Sequence, residues 1–178
     1  VRRQGRGTFV ASHSEPSWQY RFLRLRPDSG ERVHPHNFFF GLERGKASAE
    51  AAAGLGLKAG APVVSFKRVM SFVGRPLVLD EIVFAASQFP GFTLAELEEF
   101  RGSVYGFYET VFGVRMIRAQ ERLKAVPADS VAAAHLQVAA GTPLLCIDRV
   151  AYTYGDKPVE WRRGLCVTDG FSYCNELN

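Results

Sequence analysis

Residues 62–84 read PVVSFKRVMSFVGRPLVLDEIVF, two runs rich in β-branched and aromatic residues that predict two strands joined by a tight turn. Strand side chains alternate between faces, so Val64, Phe66, Arg68, Met70 and Phe72 fall on one side, with a guanidinium in an otherwise apolar stripe. In the second run Leu77, Leu79, Glu81 and Val83 share a side, and a carboxylate interrupts the apolar set. A cation and an anion on apolar faces are costly without partners and point to a polar pocket.

The composition bounds what such a pocket can belong to. At 178 residues and 47% hydrophobic, the chain can bury a core and predicts one globular domain with at most a small appendage. No run of about 18 uncharged apolar residues predicts a membrane span, and Val1-Arg2-Arg3-Gln4 lacks the apolar segment of a signal peptide, so a cytoplasmic location is expected. Cys146, Cys166 and Cys174 form neither a disulfide framework nor a C-x-x-C pair, which fits a reducing compartment. The net charge of +4 permits contact with nucleic acid without arguing for it. His34-Pro35-His36 has no third ligand nearby and predicts no metal site. No cofactor is expected.

Outward from the hairpin, Trp18 to Arg26 predicts a strand, Pro27-Asp28-Ser29-Gly30 a turn, Asn37 to Leu42 a buried strand and Lys46 to Gly54 a short alanine-rich helix. Thr93 and Glu96 form a capping box for a helix to about Phe100. Ser103 caps another, in which Val104, Phe107, Tyr108, Val111 and Phe112 share a face and Gly113 terminates it. The amides at its start offer a place for an anion. Val114 to Val126 returns to period two, with Ile117, Ala119, Glu121, Leu123 and Ala125 on one face, so Glu121 stands where an aliphatic residue is expected. A helix from about Asp129 is expected to bury Val131, Ala134, His135 and Val138 or their neighbours. The last third predicts a β-meander: Leu144 to Tyr154, Lys157 to Val167 with Glu160, Arg162, Gly164 and Cys166 on one face, and Phe171 to Leu177. Strands at both ends with helices between predict an α+β fold on one antiparallel sheet.

At the front, Arg3-Gln4-Gly5-Arg6-Gly7-Thr8-Phe9-Val10 resembles the end of the winged helix-turn-helix domain of GntR-type bacterial repressors, where R-x-G-x-G-T-F-V forms the wing. The resemblance makes residues 1–12 the end of that domain, with Arg3, Gly5, Arg6 and Gly7 as DNA-contacting residues. Residues 13–178 carry Gly60-Ala61-Pro62-Val63 with Arg68-Val69, Gly74-Arg75-Pro76 with Glu81, Ser103-Val104-Tyr105, Ala119-Gln120-Glu121, Gly141-Thr142-Pro143-Leu144-Leu145, and Lys157-Pro158-Val159-Glu160 followed by Asp169. In this order they resemble the UTRA effector-binding domain of the HutC branch of GntR regulators, which has a chorismate-lyase-like fold.

The resemblance implies an effector cleft formed by Arg68, Glu81, Ser103, Tyr105 and Glu160, with Glu121 as a further candidate. It also implies a small-molecule effector, a homodimer, operator DNA bound through the full-length protein, and no enzymatic activity. Members that take sugar phosphates tend to carry a second arginine where this chain has Met70, and Cys166 replaces an aromatic hydroxyl. A phosphate would thereby lose a partner worth roughly 1.5–3 kcal/mol, so an anionic carboxylate or a zwitterion is expected as effector. The reading from another class is a small chorismate-lyase-like enzyme in which Arg68 and Glu160 hold and protonate a carboxylated substrate.

Overall fold

The computed structural model describes residues 24–31 and 33–175. Arg3, Gly5, Arg6 and Gly7, and most of the strand expected from Trp18, lie outside them. The described elements are β1 (Leu25–Pro27), β2 (His36–Lys46), α1 (Ala49–Leu55), β3 (Pro62–Phe72), β4 (Arg75–Ala85), α2 (Leu94–Glu99), α3 (Val104–Phe112), β5 (Arg118–Pro127), α4 (Ser130–Leu136), β6 (Pro143–Tyr152), β7 (Pro158–Cys166) and β8 (Phe171–Tyr173). Six strands form one antiparallel sheet in the order β2-β3-β4-β7-β6-β5, the expected α+β architecture. The last strand departs from the predicted meander: β8 leaves this sheet and pairs with β1 as a separate two-stranded ribbon.

The hairpin that anchors the sheet turns on two residues, Val73 (φ 50°) and Gly74 (φ 79°), both in the left-handed region that two-residue hairpin loops require. Its register is not simple. Phe72 pairs with Arg75 and Ser71 with Pro76, but Met70 pairs with Val78 and Arg68 with Asp80, because a β-bulge intervenes between Met70 and Ser71. One inserted residue flips every side chain beyond it to the other face. Asp80 therefore shares the side of Arg68, and Glu81 is carried to the opposite side across from exposed Lys67.

Each face of the sheet is covered. Helices α2 and α3 pack an aromatic cluster over one half of the Arg68 face, in which Phe66, Phe84, Phe89, Phe92 and Tyr108 are fully buried. Phe84 meets Phe89 and Phe92 edge-on at 4.6 and 5.0 Å, a favoured aromatic geometry. The ribbon covers the other half, with Phe171 against Phe72 at 5.4 Å and Leu25 buried. On the opposite face, α1 packs on Val63, Val83 and Trp161, and α4 on Val69 and Leu79.

Helix caps follow the sequence closely: Thr93 and Ser103 accept from the amides of Glu96 and Gly106, and Gly113 ends α3 in the left-handed conformation. The buried face of α4 does not. Ala132, Ala133 and Leu136 are buried, while Val131 is 52% exposed. The helix is apolar on nearly all sides, so the 3.6-residue period carries no phase, and it is the packing of Ala132, Ala133 and Leu136 against the sheet that distinguishes the buried side. In α1, Gly54 is the next-to-last helical residue and Gly56 the left-handed cap, so both glycines stand near the end of the helix as expected.

Candidate functional site

Strands β3, β4, β6 and β7 are central or nearly so, and their inward side chains would ordinarily all be apolar. Six buried residues break that pattern: Arg68, Asp80, Asp148, Arg149, Glu160 and Arg162. All but Asp148 lie on the face covered by α3 and the ribbon. Arg68 Nε donates to Asp80 Oδ2 at 2.9 Å, and Nη2 of the same guanidinium also bonds that oxygen. Arg162 Nη1 stands 3.6 Å from Asp80 Oδ2, while its Nε donates to Glu160 Oε1 at 2.9 Å. Glu160, fully buried, also accepts from Tyr105 Oη at 2.9 Å and Tyr108 Oη at 3.0 Å. One strand further, Arg149 Nε donates to Glu121 Oε1 at 2.6 Å, and Tyr173 of the ribbon donates to Glu121 Oε2.

Neighbouring charges favour the ionised forms of Asp80 and Arg162. Burial alone would raise the Asp80 pKa, but Arg68 and Arg162 outweigh it and hold the carboxyl below its ordinary value. Burial likewise opposes the Arg162 charge, and Glu160 more than offsets it. Burial, then the Glu160 carboxylate, pushes the Tyr105 and Tyr108 hydroxyls up, so both remain protonated donors. Burial also raises the Cys166 thiol, which stays an unreactive S–H.

The polar network borders a cavity of about 90 Å³ between the sheet, the start of α3 and the ribbon. Among the described residues four arginines line it, Arg24, Arg68, Arg149 and Arg162, against one carboxylate, Asp80. Ser103 and Tyr105 bring the first turn of α3 to the wall. Ser103 Oγ is the helix cap, accepting from Gly106 N at 3.0 Å, and the positive end of the helix dipole faces the same space. Met70 and Cys166 supply apolar wall, and Gly164 leaves a recess beside Asp80. Asn37 Oδ1, at the edge of the cavity, is buried without a hydrogen-bond partner among the described residues.

Of the residues singled out in the sequence, Arg68, Ser103 and Tyr105 meet at this cavity. Glu160 and Glu121 stand just behind its wall, each holding an arginine and a tyrosine that face it. Glu81 is not among them: it is exposed on the far side of the sheet, and Asp80 occupies the place expected of it. The cation that Met70 does not supply comes instead from Arg24, Arg149 and Arg162. Arg162 was legible, two residues after Glu160 on the same strand face. Arg149 was not, because it becomes inward only through the pairing of β6 with β5, where it stands opposite Glu121.

A family model described as the UTRA domain matches residues 31–172. The chain belongs to this family. A curated relative, an HTH-type transcriptional regulator from Mycobacterium tuberculosis, is 32% identical over 168 residues, 90% of this chain and 59% of its own length. The HTH-type transcriptional repressor PhnF from Mycolicibacterium smegmatis is 30% identical over 125 residues, 70% of this chain and 50% of its own. The UTRA chain thus spans about half the length of these relatives.

A solved ligand-binding domain assigned to the GntR family of transcriptional regulators, from Bordetella bronchiseptica, is 43% identical with a TM-score of 0.83. It covers 89% of this UTRA chain and 99% of its own. These relatives are named as transcriptional regulators and not as enzymes. The enzymatic alternative gains nothing from them.

Proposed function

We propose that this UTRA domain is the ligand-sensing part of a HutC-type GntR transcriptional regulator, and that a small effector bound in the arginine-lined cavity changes operator binding. The observation that carries this reading is the lining of the cavity: four arginines, three of them buried, face about 90 Å³ of space, and among the described residues Asp80 is the one carboxylate that lines it with them. Asp80, Glu160 and Glu121 pair with Arg68, Arg162 and Arg149, and with Arg24 at the wall the arginines still outnumber these carboxylates by one, a net positive lining that an anionic or zwitterionic ligand completes. Arg68, Ser103 and Tyr105 contact it, with Glu160 and Glu121 orienting Arg162 and Arg149.

The wing residues Arg3, Gly5, Arg6 and Gly7 meet operator DNA within the full-length protein, which acts as a cytoplasmic twofold homodimer. Ligand and operator influence one another because each favours a different arrangement of the two DNA-binding domains. No helix among the described residues is long and apolar enough to cross a membrane. The test is fluorescence polarisation of full-length protein with its operator, with and without fractionated metabolites. Operator binding that no metabolite fraction alters would refute the sensing function.

A further inference from the structure

The cavity contains a feature that a plain anion site would not keep. Asp80 is 3% exposed and borders the cavity. Both hydrogen bonds from Arg68 go to Oδ2, and no hydrogen bond from the described residues reaches Oδ1. Gly164 lies across from Asp80 in the β4–β7 register, and a Cβ at position 164 would stand 2.8 Å from that same Oδ1. Glycine here has an ordinary backbone conformation, so what it contributes is space over the carboxylate oxygen.

We propose that the cavity selects a small molecule carrying both an anionic group and a hydrogen-bond donor, of the hydroxy-acid or amino-acid class, with Asp80 Oδ1 accepting from the donor and Gly164 keeping the approach open. This deepens the ligand-sensing reading and rests on it. A free carboxylate oxygen repels a simple anion, and it is favourable only where the bound molecule supplies a hydroxyl or ammonium proton. The anionic group then lies toward Arg149, Arg24 and the start of α3. The space, about 90 Å³, suits a small molecule rather than a polymer. Asp80 thereby acts as a specificity residue, rejecting ligands that lack the donor, as buried unpaired polar groups do.

The test is isothermal titration and thermal shift on the 178-residue chain with four probes: L-serine and D-glycerate, which carry the donor, and propionate and inorganic phosphate. Serine or glycerate is expected to bind at least about tenfold more tightly than propionate or phosphate. Asp80→Asn, which presents an amide N–H₂ or a weaker acceptor, should reduce that ratio to about one. Gly164→Ala, which would place a Cβ 2.8 Å from Asp80 Oδ1 and so displace that oxygen and close its approach, should do the same and serves if the first variant does not fold. Propionate or phosphate binding as well as serine and glycerate overturns the donor requirement while leaving the sensing function standing. No binding of any probe overturns the ligand class, and the operator assay with metabolite fractions then decides the sensing function separately. Unchanged selectivity in folded Gly164→Ala overturns the assignment of Asp80.

Discussion

Arg68 and Asp80 stand directly opposite one another on β3 and β4, joined through the guanidinium Nε at 2.9 Å, and they do so because of the bulge between Met70 and Ser71. Removing the carboxylate would leave Arg68 and Arg162 buried with less compensation. Asp80→Ala is expected to destabilise the domain by about 3–5 kcal/mol, the usual cost of breaking a buried ion pair from one side. The pH dependence has a definite sign. Asp80 is held below its ordinary pKa, so its contribution is complete above about pH 4 and is lost as pH falls further. Urea midpoints of wild type and variant should differ more at pH 7 than at pH 3, and equal differences would show that the pair is not ionised.

Glu160 separates two tyrosines by what each does. Tyr108 is fully buried and does not border the cavity, whereas Tyr105 does. Each hydroxyl donates to one oxygen of the carboxylate, a bond to a charged group worth about 1.5–3 kcal/mol. Tyr108→Phe should therefore lower stability by about that much with ligand affinity nearly unchanged. Tyr105→Phe should lower both, read by denaturation and titration with the tightest of the four probes.

Gly54 sets helix propensity against packing. Alanine is favoured over glycine inside a helix by up to about 1 kcal/mol. A Cβ at position 54 would, however, meet Trp161 Cδ1 at 2.6 Å and Val150 Cγ2 at 3.3 Å. Overpacking of this kind costs about 1–3 kcal/mol, so Gly54→Ala should destabilise on balance. A rise in melting temperature would mean that Trp161 can shift aside.

The sequence made the individual strands, the capped helices, Arg68 and Glu121 as polar breaks in apolar faces, and the shared face of Glu160, Arg162 and Gly164 readable, because each lies on a stretch where period two or a cap residue is unambiguous. Strand β4 defeated the same reading. Leu77, Val78, Leu79, Ile82, Val83 and Phe84 are all buried, so a strand covered on both faces has no polar phase. Counting back from the two-residue turn puts Arg68 opposite Leu79 and makes Glu81 its neighbour, and a single unpredicted bulge residue replaces that neighbour with Asp80. Arg149, Arg24 and Tyr173 became part of the cavity only through pairings between segments distant in sequence. Local pattern carries no information about such pairings.

The ribbon has one more consequence. Cys174 N donates to Arg24 O at 2.8 Å, so the two ends of the described domain are hydrogen-bonded neighbours. A circular permutant could join them with a linker of a few residues and open the chain at the exposed Val73-Gly74 tip, where no core residue is cut. The permutant should keep the cavity and fold cooperatively, since the β3–β4 pairing would change from a local hairpin to a long-range contact without losing a bond. What should suffer is speed: with that hairpin no longer local, refolding should be slower at nearly equal stability.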